Sequence, residues 1–70
     1  ELSLKAMGYI LCVKFTRGTS WAEKLLATGD EQIVEFNNWG DEFWGWDIRT
    51  KRGENHLGKI LMRIREGLKD

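Results

Sequence analysis

The chain has 70 residues, 41% of them apolar, and its 11 Lys and Arg balance its 11 Asp and Glu to a formal net charge of zero. A domain of this size buries only about 60% of the surface that its unfolded chain exposes, so a dense core or a partner must stabilise it. The balanced charge argues against a free-standing nucleic-acid binder, which needs excess positive charge to neutralise phosphates.

Cysteine content and hydropathy narrow the class of protein further. The single cysteine excludes an internal disulfide, and Cys12 with His56 offers too few ligands for a zinc site, so we expect no metal and no cofactor. The apolar runs span only a few residues, so we expect no membrane partner and a cytoplasmic localisation. Because the sequence begins with Glu1 and not with methionine, we expect a fragment or the product of trimming.

Two helices are predicted in the first half of the chain. Apolar residues at helical spacing predict a helix over residues 2–15, ended by Gly18. These residues are Leu2, Leu4, Met7, Ile10, Leu11 and Phe15. A second helix is predicted over residues 20–28, because Ser20 and Glu23 have the spacing of a capping box. Its predicted buried side consists of Trp21, Ala22, Leu25 and Leu26.

A short strand is predicted over residues 32–36, which are rich in β-branched and aromatic side chains. A strand without a partner leaves its backbone N–H and C=O groups unpaired and is not stable by itself. Either residues 43–48 return to form a hairpin with it, or strands outside this chain complete the sheet.

The second half of the chain is predicted to hold an irregular loop and one helix. Residues 37–46 contain three tryptophans and two glycines, and residues 47–54 are typical of a solvated loop or a ragged strand end. Asn55 is expected to cap a helix over residues 56–68. The predicted fold class is therefore α+β and predominantly helical, with three helices, one short strand and a Trp/Gly-rich loop in a single unit, residues 1–70.

The sequence from Gly53 to Lys59 matches the first seven positions of the phosphate-loop pattern. Ile60 replaces the hydroxyl residue that would hold magnesium, and no buried strand precedes the motif, so we do not expect a phosphate loop. A helix start carrying Lys59 can still bind an anion through its N–H groups and the helix dipole. The alternative is that Gly53 forms a turn and Asn55 a cap.

The Trp/Gly-rich loop is the second candidate for chemistry. A tryptophan presents a flat face to a ligand ring, Asp41 can accept hydrogen bonds from sugar hydroxyls or activate water, and Gly40 and Gly45 allow close approach to the backbone. The combination of Asp41 with Trp44 favours a binding site. The alternative is that the aromatic residues only fill the core of a small domain, namely Trp39, Phe43 and Trp46.

Several short motifs follow one another along nearly the whole chain. They are Lys14-Phe15, the run Leu25 to Asp30, Ile33-Val34-Glu35, the run Asn38 to Gly45, Gly53-x-Asn55-x-Leu57-Gly58, and Leu61-Met62-x-Ile64-Arg65. In this order and spacing they resemble the C-terminal half of the NADAR, or YbiA-like, domain. The form with Asn-x-Trp-Gly-Asp before the second Trp-Gly resembles the short phage and bacterial branch of that family.

The resemblance implies a longer α+β domain that hydrolyses N-glycosidic bonds, either of ribosylamino intermediates of riboflavin biosynthesis or of ADP-ribose on modified guanine bases. The expected partner is a phosphorylated, nucleotide-like small molecule, with nucleic acid only as a modified-base substrate. Carried over by position, Asp41 is expected to be catalytic, and Arg65 falls at the arginine of the family's last helix, where a structural role is the alternative. The residues expected to bind substrate are Trp39, Trp44, Gly45, Asn55, Gly58 and Lys59.

Part of the family pattern has no counterpart in residues 1–70. The family's N-terminal half contributes a Phe-Ser-Asn-Phe-like segment and a Glu-His-x-x-Gln-like helix, whose glutamate is the expected principal carboxylate. The isolated chain is therefore expected to show little or no hydrolysis, and the missing half or a second chain is expected to complete the sheet. The rival reading is a non-catalytic module of the same fold that binds nucleotide or ADP-ribose, or another protein.

Overall fold

A computed structural model describes residues 2–69 and confirms the three predicted helices. The α+β, helix-rich fold class is likewise confirmed. The elements in chain order are α1 (Leu4–Lys14), α2 (Ser20–Ala27), β1 (Phe36–Asn37), β2 (Trp46–Asp47) and α3 (His56–Leu68). No helix within residues 2–69 is both long enough and apolar enough to cross a membrane.

Hydroxyl side chains cap the first two helices. The Ser3 hydroxyl oxygen accepts a hydrogen bond from the Ala6 N–H at 3.0 Å, and that of Thr19 accepts one from the Ala22 N–H at 3.1 Å. The predicted capping box at Ser20 is wrong, because Thr19 has the extended backbone of a cap residue and Ser20 is already the first helical residue.

The core lies where α3 packs against α1 and α2. Five apolar residues are buried there, namely Leu11, Ala22, Leu25, Leu61 and Leu68. Trp21, predicted to be buried, is 49% exposed and lies edge-on to Phe15, with the Lys14 ammonium 4.1 Å from the centre of its ring. It thus covers the edge of the core and does not fill it.

Arg65 joins the last helix to the end of α2. Its side chain is buried, and Nη1 donates a hydrogen bond of 2.7 Å to the Thr28 hydroxyl, which in turn donates to the Leu25 carbonyl. A cation is favourable at the C-terminus of a helix, where the backbone carbonyls carry partial negative charge. The geometry therefore supports the structural role of this arginine.

The two strands pair in parallel, with Phe36 opposite Trp46 and Asn37 opposite Asp47. Of the two alternatives for a partner strand, residues 43–48 do supply one, but they do not form a hairpin, because β2 runs parallel to β1. The strand predicted over residues 32–36 lies further along, and only its last residue belongs to β1. The outer edge of β2 is covered by its own chain, since the Asp47 N–H donates to the Arg52 carbonyl at 2.8 Å.

Candidate functional site

Two side chains hold the segment between the strands, residues 38–45, which we call the tryptophan loop. Asp41 is half-buried, and its Oδ1 accepts hydrogen bonds from the N–H groups of Phe43 at 3.2 Å and Trp44 at 2.9 Å. Asn37 is buried, and its amide donates to the Asp41 carbonyl and accepts from the Asp41 N–H. The carboxylate of Asp41 therefore fixes the turn that carries Trp44.

Backbone hydrogen bonds attach the tryptophan loop to the start of α3. The N–H groups of His56 and Leu57 donate to the carbonyls of Phe43 and Trp44 at 3.2 and 2.9 Å, and the Asn55 N–H donates to the Gly45 carbonyl at 3.1 Å. The donors of His56 and Leu57 are thus used within the chain and are not available to an anion. These two first-turn N–H groups are therefore removed from the predicted anion site.

Asn55 precedes α3 but does not cap it with its side chain. Its backbone is left-handed, with φ of 54°, and its buried amide donates to the Ile33 carbonyl at 2.8 Å and accepts from the Glu35 N–H at 2.9 Å. Asn55 therefore occupies the predicted cap position, but its side chain makes no capping hydrogen bond to the helix. The amide instead pairs with backbone groups as a neighbouring strand would, and it holds residues 33–35 beside the start of α3.

Three glycines allow the backbone segments of this junction to touch. A Cβ on Gly45 would overlap the Glu35 carbonyl oxygen, and one on Gly58 would overlap the carbonyl oxygen of Ile33. A Cβ on Gly53 would likewise overlap the Gly45 carbonyl oxygen. The space that we predicted for a ligand beside Gly45 is occupied by the chain's own backbone, so glycine is required there for packing.

The aromatic side chains of the loop face outward. Trp39 is 73% exposed and Phe43 42% exposed, so the alternative that they fill a core is wrong for these two residues. Phe43 lies edge-on to Trp44, with 4.9 Å between ring centres, and contacts the His56 ring at 4.5 Å. These rings form an accessible surface on a loop whose backbone is fixed.

A cleft of about 410 Å³ opens beside Phe43 and is lined by two carboxylates and a guanidinium. The carboxylates belong to Glu42 and Glu54, and Arg52 Nε lies 3.5 Å from Glu42 Oε1. His56 Nε2 lies 3.0 Å from Glu54 Oε1. These residues were not predicted from the sequence, although Glu42 and Glu54 each stand inside one of the motifs that carried the family resemblance.

Asp47 is a second residue that the sequence did not single out. Its side chain is completely buried, its Oδ1 accepts from the Arg49 N–H at 2.7 Å, and its Oδ2 lies 3.6 Å from Arg49 Nη2. Burial raises the pKa of this carboxyl, but donors from the Arg49, Thr50 and Gly40 backbone and from the Arg49 guanidinium outweigh it, so its pKa lies below the ordinary value. The charged group organises the turn that follows β2.

The structure thus separates the predicted site residues into three places. Five of them meet at the junction of the tryptophan loop with α3, namely Asp41, Trp44, Gly45, Asn55 and Gly58. Trp39 lies exposed on the loop, and Lys59 lines a different depression between α1 and α3. Within residues 2–69, no group of three or more His, Cys, Asp and Glu residues is placed to hold a metal ion. The roles in substrate binding and catalysis remain predictions.

Comparison with known proteins identifies the relatives of this chain. The family model of the NADAR domain matches residues 1–69. A riboflavin biosynthesis protein of Vibrio vulnificus is 40% identical over 70 residues, which are 100% of this chain and 18% of that protein. An N-glycosidase of Nostoc punctiforme is 47% identical over 57 residues, which are 81% of this chain and 35% of that enzyme.

A viral relative extends the comparison, and all three relatives are longer than this chain. An N-glycosidase of Acanthamoeba polyphaga mimivirus is 34% identical over 64 residues, with 77% of this chain and 37% of the relative covered. The chain therefore spans between 18% and 37% of the length of these curated relatives. No solved structure matches it.

Proposed function

The chain belongs to the NADAR domain family, and from this membership and the geometry of the tryptophan loop we propose that it is part of an N-glycosidase. Two relatives are named N-glycosidases and a third a riboflavin biosynthesis protein. The proposed substrate has an N-ribosyl bond and a phosphate, as in a ribosylamino compound or an ADP-ribose adduct. In this proposal residues 1–70 form the C-terminal half of the domain.

One observation supports this proposal above the others. The tryptophan loop presents Trp39 and Phe43 to solvent, yet its backbone is fixed by Asp41 and by three hydrogen bonds to the start of α3. Exposed aromatic rings on a rigid backbone are suited to stacking on a flat base, because little conformational freedom is lost on binding. The carboxylates of Glu42 and Glu54 line the same cleft as Phe43, so a ribose held against that ring would lie in a cleft that contains them.

The reaction itself defines what else is needed. A water oxygen forms a bond to the anomeric carbon while the C–N bond breaks. The electron pair of the C–N bond goes to the departing nitrogen, which gains a proton. A carboxylate must stabilise the oxocarbenium-like state or take the proton of the water. Asp41 already accepts two backbone N–H bonds with Oδ1, which favours a positioning role for it and a principal acid or base from a partner segment.

Comparing two variants of Asp41 separates chemistry from positioning. In the longer protein that contains this chain, Asp41→Asn keeps an oxygen that can accept both turn hydrogen bonds but removes the charge, whereas Asp41→Ala removes both. If Asp41 contributes charge to catalysis, both variants should lose on the order of a hundredfold in turnover of a ribosylamino phosphate. If it only positions Trp44, Asp41→Asn should retain most activity and Asp41→Ala should lose it.

A second measurement decides between the enzyme and a binding module. The 70-residue chain and the longer protein are each incubated with a ribosylamino phosphate and with ADP-ribosylated guanosine, and release of the base is followed by chromatography. We expect hydrolysis by the longer protein and little or none by the isolated chain. Binding of ADP-ribose by the longer protein without release of any base would contradict the N-glycosidase proposal and support the non-catalytic module.

A further inference from the structure

A groove of about 910 Å³ runs between α1 and α3. Its floor is formed by one strip of side chains from each helix, at steps of four residues. The α1 strip consists of Leu4, Gly8 and Cys12, and the α3 strip consists of Ile60, Ile64 and Leu68. A step of four keeps side chains on one face of a helix, so the groove follows the length of both helices.

Among residues 2–69, the permanently charged side chains that line this groove are all basic. Lys5, Lys59 and Arg63 are exposed along the groove, and Arg17 is also in its lining. No Asp or Glu lines the groove within residues 2–69, and none of those described residues forms an ion pair with Lys5, Lys59 or Arg63. In a chain with zero net charge, this is a local concentration of one sign.

The shape and chemistry of the floor indicate the kind of occupant. α3 has 13 residues and is therefore roughly 20 Å long, which is the length of a short helix and not of a single nucleotide. The groove lining offers few uncharged polar groups for a sugar, and the Thr16 hydroxyl among them already donates to the Val13 carbonyl at 2.7 Å. An elongated apolar floor between cationic rims is complementary to an amphipathic helix with acidic flanks.

We propose that the α1–α3 groove binds an acidic amphipathic helix supplied by a polypeptide other than residues 1–70. Apolar side chains at helical spacing would lie between the two strips, and Asp or Glu on both flanks would pair with Lys5, Lys59 and Arg63. Gly8 lowers the floor, because nothing lies within 4 Å of the place where its Cβ would be. Such a site would attach a partner beside the tryptophan loop, since His56 borders both the groove and Phe43.

The direct test uses the 70-residue chain labelled with ¹⁵N and a fluorescent peptide of about 18 residues, long enough for five helical turns. The peptide has Leu at helical spacing and Glu on both flanks, and a matched peptide has Lys in place of every Glu. We expect shift changes in residues of α1 and α3, and binding of the Lys peptide to be weaker by at least about tenfold. Salt at about 0.5 M should weaken binding of the Glu peptide strongly.

Variants of the chain then test the location. The double variant Lys5→Glu/Arg63→Glu should reverse the preference between the two peptides, whereas Lys24→Glu/Lys51→Glu changes the net charge equally outside the groove and should not. Gly8→Leu fills the floor at an open position and should abolish binding without unfolding the chain. Equal affinity for both peptides, binding only to anionic lipid vesicles, or shift changes confined to the tryptophan loop would each overturn the proposal.

Discussion

The junction of the tryptophan loop with α3 and the helix α1 differ in how they are held. At the junction, backbone groups bond directly to backbone groups, and glycines stand where the segments touch. Along α1, contact with the rest of the chain depends on apolar side chains on one side, while Tyr9 and Val13 remain 73% and 59% exposed on another.

This difference predicts unequal tolerance of substitution. Backbone contacts leave no side chain that can move aside, so even one added methyl group at the junction must displace a main-chain segment. The exposed side of α1 has no such neighbours, and a changed side chain there meets only solvent. Five of the seven candidate site residues lie in this rigid region, whereas the exposed Tyr9 and Val13 lie on the tolerant side of α1.

Of the substitutions at the junction, Gly58→Ala should cause the largest loss of stability. The new Cβ would overlap the Ile33 carbonyl oxygen and the Asn55 side chain, and we expect a loss of about 3 kcal/mol in the free energy of unfolding, the upper part of the range for overpacking. The measurement is urea denaturation of the 70-residue chain, followed by tryptophan fluorescence.

Gly67→Ala in the same helix is the matched control. Nothing lies within 4 Å of the position of its Cβ, so alanine should stabilise the chain by about 0.5–1 kcal/mol through its better helix propensity. The two substitutions should therefore have opposite signs. A stabilising effect at both positions would show that the junction has more space than the contacts at Gly58 imply.

Asn55→Asp should have the next largest effect at neutral pH. The substitution keeps the size of the side chain but replaces the amide that donates to the Ile33 carbonyl, leaving two oxygens facing each other. We expect a loss of about 2 kcal/mol, typical of a buried group left without its partner. Acidification should restore part of the stability, because a protonated carboxyl can donate again.

Asn38→Asp provides the comparison for this change. Asn38 is exposed, so the same chemical change should leave the free energy of unfolding within about 0.5 kcal/mol of the original value. Similar losses for both variants would mean that the added negative charge is responsible and not the bond from Asn55.

The pH dependence of stability should report on Asp47. Because the pKa of its carboxyl is lowered in the folded state, its contribution is present above the ordinary value of about 4 and is lost as the pH falls through the folded pKa. Asp47→Asn should therefore be less stable than the original chain at pH 7. That difference should shrink as the pH is lowered below 3.8, as measured by denaturation at each pH.

Asp30→Asn tests whether the contribution of Asp47 to stability depends on its burial or only on its charge. Hydrogen bonding to Lys69 lowers the pKa of Asp30, but the pair is exposed, so salt should reduce its contribution. The contribution of the buried Asp47 should change little with salt. Equal sensitivity to salt at both positions would contradict the account of the turn after β2.

Val13→Lys should have the smallest effect. Val13 is 59% exposed on α1, so we expect a change within about 0.5 kcal/mol in the 70-residue chain. Lysine at the buried Leu11 of the same helix is the control and should unfold the chain, because it places an unpaired charge in the core. A large loss from Val13→Lys would indicate that this side of α1 is already covered, for example by a second copy.

The sequence allowed the helices to be predicted with some accuracy, because their period of apolar residues is a local signal. The helix predicted over residues 56–68 agrees with the observed α3 at both ends. The strand was misplaced, since pairing between residues 36–37 and 46–47 depends on how the intervening loop turns. No local pattern of residues indicates that the two strands pair in parallel. None indicates that Asp47 is buried in the turn after β2.

The candidate site shows the same division. The identities of Asp41, Trp44, Asn55 and Gly58 followed from motifs, which also carried the family resemblance that the family model confirms. The residues that contact them could not be predicted, because a motif gives residue types at fixed spacing and says nothing of the bonds that each residue makes. Glu42, Arg52 and Glu54 come together only because the tryptophan loop folds onto the segment before α3.

By itself, the sequence determined the three helices, the family and the short list of candidate residues, because these depend on spacing along the chain. The tertiary structure decided which of those residues face solvent, which backbone donors are already used, and why glycine is needed at Gly45 and Gly58. The physical reason is that hydrogen bonds and close contacts between distant segments are set by distances in space, which no local pattern of residues encodes.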